Sequence, residues 1–101
     1  MDELQRIRWA IREQRYRVSS HANDEMADDS LVVDDVERII LTGLIAQRLT
    51  RDPRGRRYAI LGATMDGRNA YVVCRFLLSG VLLIITAYVA DDDLQGDSYA
   101  K

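Results

Sequence analysis

Residues 34–50 read DDVERIILTGLIAQRLT, and this stretch decides the fold because the spacing of its apolar residues changes at Gly43. Before the glycine, apolar residues such as Val36 and Ile40 recur at the spacing of a helix. After it, residues 44–50 have the character of a strand. The change predicts helices in the first half of the chain and strands in the second, with Gly43 as the stop of the last helix.

The first half of the chain predicts two or three helices. Residues 2–14 carry apolar side chains at helical spacing, with arginines elsewhere. Residues 16–19 form a short extended segment, after which Ser20 can cap a second helix that runs to about Asp28. Asp34 or Asp35 can cap a third helix.

The second half predicts four strands that pair as an antiparallel meander, because short turns separate them. The predicted strands span residues 44–50, 57–65, 69–78 and 81–90. The expected fold class is α+β, with the helices packed on one face of a four-stranded antiparallel sheet. The expected organisation is a single domain over residues 1–101, in which the acidic tail, residues 91–101, is frayed.

Alternation within the last two strands predicts which side chains face the helices. The set expected to face the helices is Ala70, Val72, Cys74, Phe76, Leu78, Leu83, Ile85, Ala87 and Val89. The opposite face of the sheet is left available. It should carry Tyr71, Arg75, Thr86 and Tyr88, together with Arg48 or Gln47 from the first strand.

Composition excludes several classes of protein. No apolar run approaches the roughly 20 residues of a membrane span. A single cysteine, Cys74, rules out an internal disulfide, so we expect a cytoplasmic protein. No cluster of residues has the spacing of metal ligands, and we expect neither metal nor cofactor.

Charge is segregated along the chain, although the net charge is only −2. All basic residues except Lys101 are arginines, and many lie between Arg48 and Arg75. One interpretation is an ordinary solvated surface of mixed sign. The other is a local patch that binds phosphates, for which arginine is well suited. The overall acidity counts against a strong nucleic-acid binder.

His21 is the only histidine and therefore the first candidate for proton transfer near neutral pH. It is either a structural histidine or a general acid or base. On the sheet, Tyr71, Thr86, Arg54 and Arg56 could bind an RNA phosphodiester. The alternative is plain cross-strand pairing on a solvated face.

Five short motifs in a fixed order carry a resemblance to a known family. They are Ser19-Ser20-His21-Ala22 with Met26, Asp35-Val36-Glu37 with Gly43, Arg56-Arg57-Tyr58, Gly67-Arg68 and Thr86-Ala87-Tyr88. The chain resembles a bacterial domain family of unknown function with a Ser-x-His-Ala-x-x-Arg-Met signature. That family is similar, at a distance, to the RelE and BrnT toxins, which have a helices-then-meander layout and cleave RNA without metal.

The resemblance implies a toxin-like, metal-independent endoribonuclease of a toxin–antitoxin system. In that hypothesis His21 moves a proton, Arg57 and Arg75 hold phosphate, and Tyr88 stacks on a base or orients the attacking hydroxyl. RNA and an antitoxin protein would be the partners. Glu25 departs from the family, since arginine precedes methionine in the signature. The departure keeps a second hypothesis open, in which the domain is a non-enzymatic interaction module, as a homodimer or with another protein.

Overall fold

The computed structural model of the protein describes residues 1–51 and 53–90. The predicted acidic tail therefore lies outside the described residues. The elements in chain order are α1 (Glu3–Arg12), β1 (Tyr16–Val18), α2 (Ser20–Asp28), α3 (Val33–Thr42), β2 (Leu44–Leu49), β3 (Arg57–Ala63), β4 (Asn69–Phe76) and β5 (Leu82–Val89). The α+β class is confirmed. Within the described residues, no helix is long and apolar enough to cross a membrane.

The sheet has five strands in the order β1-β5-β4-β3-β2, which corrects the expected four-stranded antiparallel sheet. Strands β2 to β5 do form the predicted antiparallel meander. The additional strand is the extended segment before α2, which pairs in parallel with β5, so that Tyr16 lies opposite Leu82. Three residues are too few to show alternation, and a parallel partner 66 positions later leaves no local signal in the sequence.

The helices cover one face of the sheet, and the core lies between them. α3 packs on β3 and β4, α1 packs on α3, and α2 packs along β5. The largest fully buried side chains are Ile7, Val36, Ile39, Ile40, Ile60, Val72, Thr64, Cys74, Leu82 and Ile84. Cys74 is buried as predicted, but Phe76 is only half-buried at the edge of the core. Leu78, predicted to face the helices, is fully exposed in the β4–β5 turn.

A β-bulge in β5 changes which residues of that strand face the core. Val73 pairs with Thr86 but the next residue, Cys74, pairs with Ile84, so Ile85 is the extra residue. Leu82 and Ile84 are consequently buried in place of the predicted Leu83 and Ile85. Beyond the bulge the predicted register returns, with Ala87 buried and Val89 packed against the core.

Ser19 stabilises the bulge and also begins α2. Its hydroxyl donates to the backbone oxygen of Ile85 at 2.9 Å, and its backbone N–H donates to that of Ile84 at 3.0 Å. The same hydroxyl accepts from the N–H of Ala22. The N-cap is therefore Ser19, one residue before the predicted cap. This arrangement fixes α2 to β5 at the point where β1 ends.

Gly43 ends α3 as predicted, but for a different physical reason. Its backbone is extended, with φ −86°, and not left-handed. A Cβ at this position would collide with the backbone oxygen of Leu61 and lie 2.6 Å from that of Ile39. Gly62 lies at the same contact, since a Cβ added there would be 2.9 Å from the backbone oxygen of Ile39. The two glycines let the end of α3 approach β3 closely.

The N-cap of α3 is Val32, which corrects the predicted cap at Asp34 or Asp35, because the helix begins at Val33 and both aspartates lie in its first turn. The buried carboxylate of Asp35 accepts from the N–H of Val32 at 3.0 Å and from the N–H of Met65 at 2.9 Å. One carboxylate thus accepts a hydrogen bond from a backbone N–H at the start of the helix and another from the β3–β4 turn, and so holds the two together. This ties α3 to the sheet at its beginning, as Gly43 does at its end.

Candidate nucleic-acid interface

The face of the sheet opposite the helices carries a row of arginines at one end. Arg75 on β4 pairs with Leu83 on β5, which in turn pairs with Arg17 on β1. On the β3 side of β4, Tyr58 pairs with Cys74 in an antiparallel register. The adjacent residues Arg57 and Arg75 are therefore opposite each other and lie on the open face. The arginine row, defined as Arg17, Arg57 and Arg75, therefore draws from three strands.

A small cavity of about 140 Å³ lies at this row. Its lining residues are Arg54, Arg57, Arg75, Leu83 and Ile85. The bulge brings Ile85 into this lining. The cavity therefore combines three guanidinium groups, which suit bidentate contacts to phosphate, with apolar walls that would exclude water around a bound group.

The other end of the face carries an aromatic pair. Tyr71 and Tyr88 lie opposite each other on β4 and β5, and their ring centroids are 5.5 Å apart at an interplanar angle of 33°. Leu61 on β3 continues this row, and Leu44 on β2 ends it. Such a row offers flat apolar surface on which a base could stack.

Glu25 on α2 lies near Tyr88 of the aromatic pair, and His21 lies one turn earlier on the same helix. His21 Nε2 is 3.5 Å from Glu25 Oε1, and the imidazole is largely exposed. The pKa of Tyr88 is raised, first by burial and then by the neighbouring Tyr71 and the charge of Glu25. Its phenol therefore stays protonated at neutral pH and can donate a hydrogen bond. Glu25 is thus the residue that links His21, on its own helix, to Tyr88 on the sheet.

Two buried polar atoms on α2 and β5 lack hydrogen-bond partners among the described residues. They are Thr86 Oγ1 and Glu25 Oε1. Thr86 belongs to the middle row of the face, where it pairs with Val73 next to Ala59. Buried polar atoms are nearly always hydrogen-bonded, and of these two Glu25 Oε1 does have the His21 Nε2 atom 3.5 Å away.

The structure places the predicted site residues in two groups and not in one cleft. Arg57 and Arg75 line the small cavity, while Tyr88 lies with Tyr71 at the other end of the face. Tyr71 and Arg75 are four residues apart on β4, which is about 13 Å at the rise of a strand. The two groups therefore lie at opposite ends of the open face.

Arg48, one of the two alternatives for the open face, and Arg56, expected at a turn beside it, both contact a helix residue. Arg48 pairs with Tyr58, and its Nε donates to Glu3 on α1 at 2.6 Å. Arg56, predicted to bind RNA, donates to the same carboxylate at 2.8 Å. The two arginines and the Tyr58 hydroxyl lower the pKa of Glu3 to about 2. These arginines hold β2 and β3 to α1. Gln47 takes the place on the open face, opposite Ala59.

Sequence reasoning missed Arg17 and the pair of apolar residues in the cavity. Arg17 lies in a strand of three residues, where no pattern shows which face it takes. Leu83 and Ile85 were assigned to the core because strict alternation cannot foresee a bulge. Among the described residues, no group of three or more His, Cys, Asp or Glu side chains could hold a metal ion.

These features define a class: an α+β domain whose helices cover one face of a sheet and whose other face is basic at one end and aromatic at the other. Residues 18–89 match the family described as a domain of unknown function, DUF4258, and the chain belongs to that family. The matched segment begins at the last residue of β1 and ends with β5, so it contains α2, α3 and strands β2 to β5. No curated protein and no solved structure matches the chain.

Proposed function

We propose that the open face binds single-stranded RNA and that the protein is a metal-independent endoribonuclease of the toxin type, with an antitoxin protein as its partner in a bacterial cytoplasm. The observation that carries the proposal is the presence of the arginine row and the Tyr71–Tyr88 pair on one exposed sheet face. Guanidinium groups and stacking aromatics are the combination with which proteins hold single strands. The order of the elements, helices followed by a meander, is similar to the layout of the RelE and BrnT toxins.

The spacing of the two groups sets how a strand would lie. Bases would stack at Tyr71 and Tyr88, and phosphates of other nucleotides would meet Arg57 and Arg75, because about 13 Å separates the two ends. The arginines therefore hold the strand and do not touch the reacting phosphate. A single strand is preferred over a duplex, because only unpaired bases can stack on side chains.

The chemistry belongs to the corner of His21, Glu25 and Tyr88. A base there removes the proton of a 2′-hydroxyl, whose oxygen attacks the adjacent phosphorus. The bond to the 5′-oxygen breaks, and that oxygen takes a proton from the acid, which gives a 2′,3′-cyclic phosphate and a 5′-hydroxyl end. His21 is the group that can accept and return a proton near neutral pH. Glu25, 3.5 Å away, would orient the imidazole. Tyr88 would donate to a phosphate oxygen as its charge grows.

RNA binding is tested by the fluorescence anisotropy of a labelled single-stranded RNA with wild-type protein and with Arg75→Ala. Arg38→Ala is the matched control, because Arg38 is exposed on α3, on the helix side. Arg75→Ala should weaken binding and lower the salt slope by about 0.7, the value for one lost phosphate contact on a single strand. Equal affinities of all three proteins, or no binding, would contradict the proposal.

An interaction module of the same fold is the second candidate function. Leu44 at the end of the aromatic row is largely exposed, and Leu83 and Ile85 are half-exposed in the cavity. Apolar side chains in this position would suit a protein partner or a second copy of the chain. Light scattering of the purified protein tests this alternative. A stable dimer that is lost in Leu83→Asp, together with no RNA binding, would favour it.

A further inference from the structure

Three cavities follow one another from the open face around the end of the sheet. The first is the cavity at the arginine row. It shares Arg54 and Arg75 with a second cavity of about 440 Å³ at the β4–β5 turn. The second shares Phe76 with a third cavity of about 330 Å³, which lies against α1. The lining side chains therefore form one continuous surface that leads from β4 to α1.

The third cavity combines arginines with aromatic rings. Its lining residues are Met1, Arg6, Trp9, Arg15, Phe76 and Gly80. The Arg6 guanidinium lies over the ring of Phe76, 4.5 Å from its centroid, and that of Arg15 lies 5.8 Å from the centroid of Trp9. Trp9 nevertheless stays 44% exposed. Among the residues that the structure describes, no carboxylate lines any of the three cavities.

We propose that this surface is the path of a longer RNA strand, and that Trp9 is a second stacking site for a nucleotide flanking those on the open face. This inference rests on the proposed function and extends it to strand length. Each of the three cavities has at least two arginines in its lining, and the second and third also have aromatic rings, which complements a polyanion with flat bases. The indole of Trp9 has the Arg15 guanidinium near its ring and is still partly exposed, so the rest of its surface is available for a base.

Strand length is therefore a determinant of affinity. A strand of about four nucleotides, the lower end of the site size of one binding fold, covers the open face alone. A strand of about ten reaches past Arg54 and Phe76 to the third cavity. There Arg6 and Arg15 contact its phosphates, and a base stacks on Trp9. Loss of one stacked base weakens single-strand binding by roughly 5- to 100-fold.

Trp9 is the only tryptophan, so its intrinsic fluorescence reports this site directly. Labelled oligouridylates of four and ten nucleotides are titrated into the full chain, with RNA anisotropy and tryptophan emission recorded together. The ten-nucleotide strand should quench the emission and bind more tightly. The four-nucleotide strand should bind without quenching. Trp9→Ala and Arg15→Ala should weaken the longer strand several-fold and leave the shorter one unchanged.

The two readouts separate this inference from the proposed function. Binding of the longer strand with unchanged tryptophan emission, and with wild-type affinity in Trp9→Ala, would overturn the second site and leave the open face intact. Equal quenching by both strands would also overturn it, because Trp9 would then be the primary site. No change in anisotropy with either strand would overturn both proposals. Circular dichroism of each variant confirms that the fold is kept.

Discussion

The rings of Tyr71 and Tyr88 pack across β4 and β5 with their centroids 5.5 Å apart, and Glu25 of α2 lies close enough to act on the Tyr88 phenol. This relationship joins a helix to the open face of the sheet. His21, one turn before Glu25, has its Nε2 3.5 Å from the Glu25 carboxylate. The corner so formed is where the proposed chemistry takes place.

Tyr88 should titrate above its ordinary pKa of 10, and Glu25→Gln should bring that pKa down. The carboxylate opposes formation of a second negative charge nearby, so its removal favours the phenolate. Tyrosine titration by NMR measures the change. Tyr16 is the internal control: burial and Glu37 raise its pKa to about 12, and it should not respond to the substitution. An unchanged Tyr88 would mean that the two groups do not interact.

The bulge in β5 predicts opposite outcomes for two adjacent isoleucines. Ile84 is fully buried, so Ile84→Ala should lower the free energy of unfolding by about 2–5 kcal/mol. Ile85 lies half-exposed on the open face, so Ile85→Ala should cost about 1 kcal/mol or less. Urea unfolding of the two variants is the measurement. A larger loss of unfolding free energy for Ile85→Ala than for Ile84→Ala would contradict the bulge and indicate strict alternation along β5.

Stability should fall in acid because of Glu3. Its pKa is about 2 in the folded protein, against 4.5 ordinarily, owing chiefly to Arg48 and Arg56. A lowered pKa contributes stability that is complete above pH 4.5 and is lost as the pH falls through about 2. Thermal unfolding of Glu3→Gln should therefore depend less on pH between these values. Identical profiles for Glu3→Gln and wild type would disprove the role of Glu3.

The contact between α3 and β3 should not tolerate a side chain at Gly43. Gly43→Ala would force the Cβ against the backbone oxygens of Leu61 and Ile39, which cannot move aside as a flexible side chain can. We expect a loss of about 3 kcal/mol or more in urea unfolding. Gly55→Ala is the comparison, since its Cβ would meet no atom within 4 Å and only its φ of +123° is strained. It should cost about 1–2 kcal/mol. A smaller cost at Gly43 than at Gly55 would contradict the contact.

The parts of the fold that the sequence predicted are those set by local periodicity. The change at Gly43 gave the helices and the meander correctly, because the spacing of Val36 and Ile40 and the turns between strands are local signals. The pairing of Tyr16 with Leu82 is non-local, and the bulge at Ile85 depends on a hydrogen bond from Ser19. Neither leaves a pattern in the sequence, so the fifth strand and the β5 register were missed.

The candidate site was predicted as a set of residues but not in its arrangement. Alternation placed Tyr71, Thr86 and Tyr88 on the open face correctly. It left Arg48 or Gln47 open, and it could not foresee that Arg48 and Arg56 would both bind Glu3, because that contact depends on α1 packing over the sheet. The charge of an arginine is visible in a sequence, whereas its partner is a property of the fold.

The central claim is that this protein cleaves RNA with the groups on and beside its open face. The most direct test is the cleavage of single-stranded RNA by purified protein in the presence of a chelator, with end-group analysis of the products. Wild type and Arg38→Ala should give 2′,3′-cyclic phosphate ends. His21→Ala should lower the rate about 10²–10⁴-fold, the usual contribution of general acid–base catalysis. Arg75→Ala should act mainly through weaker binding of RNA. Absence of cleavage by the wild type, or equal rates for wild type and both His21→Ala and Arg75→Ala, would contradict the claim.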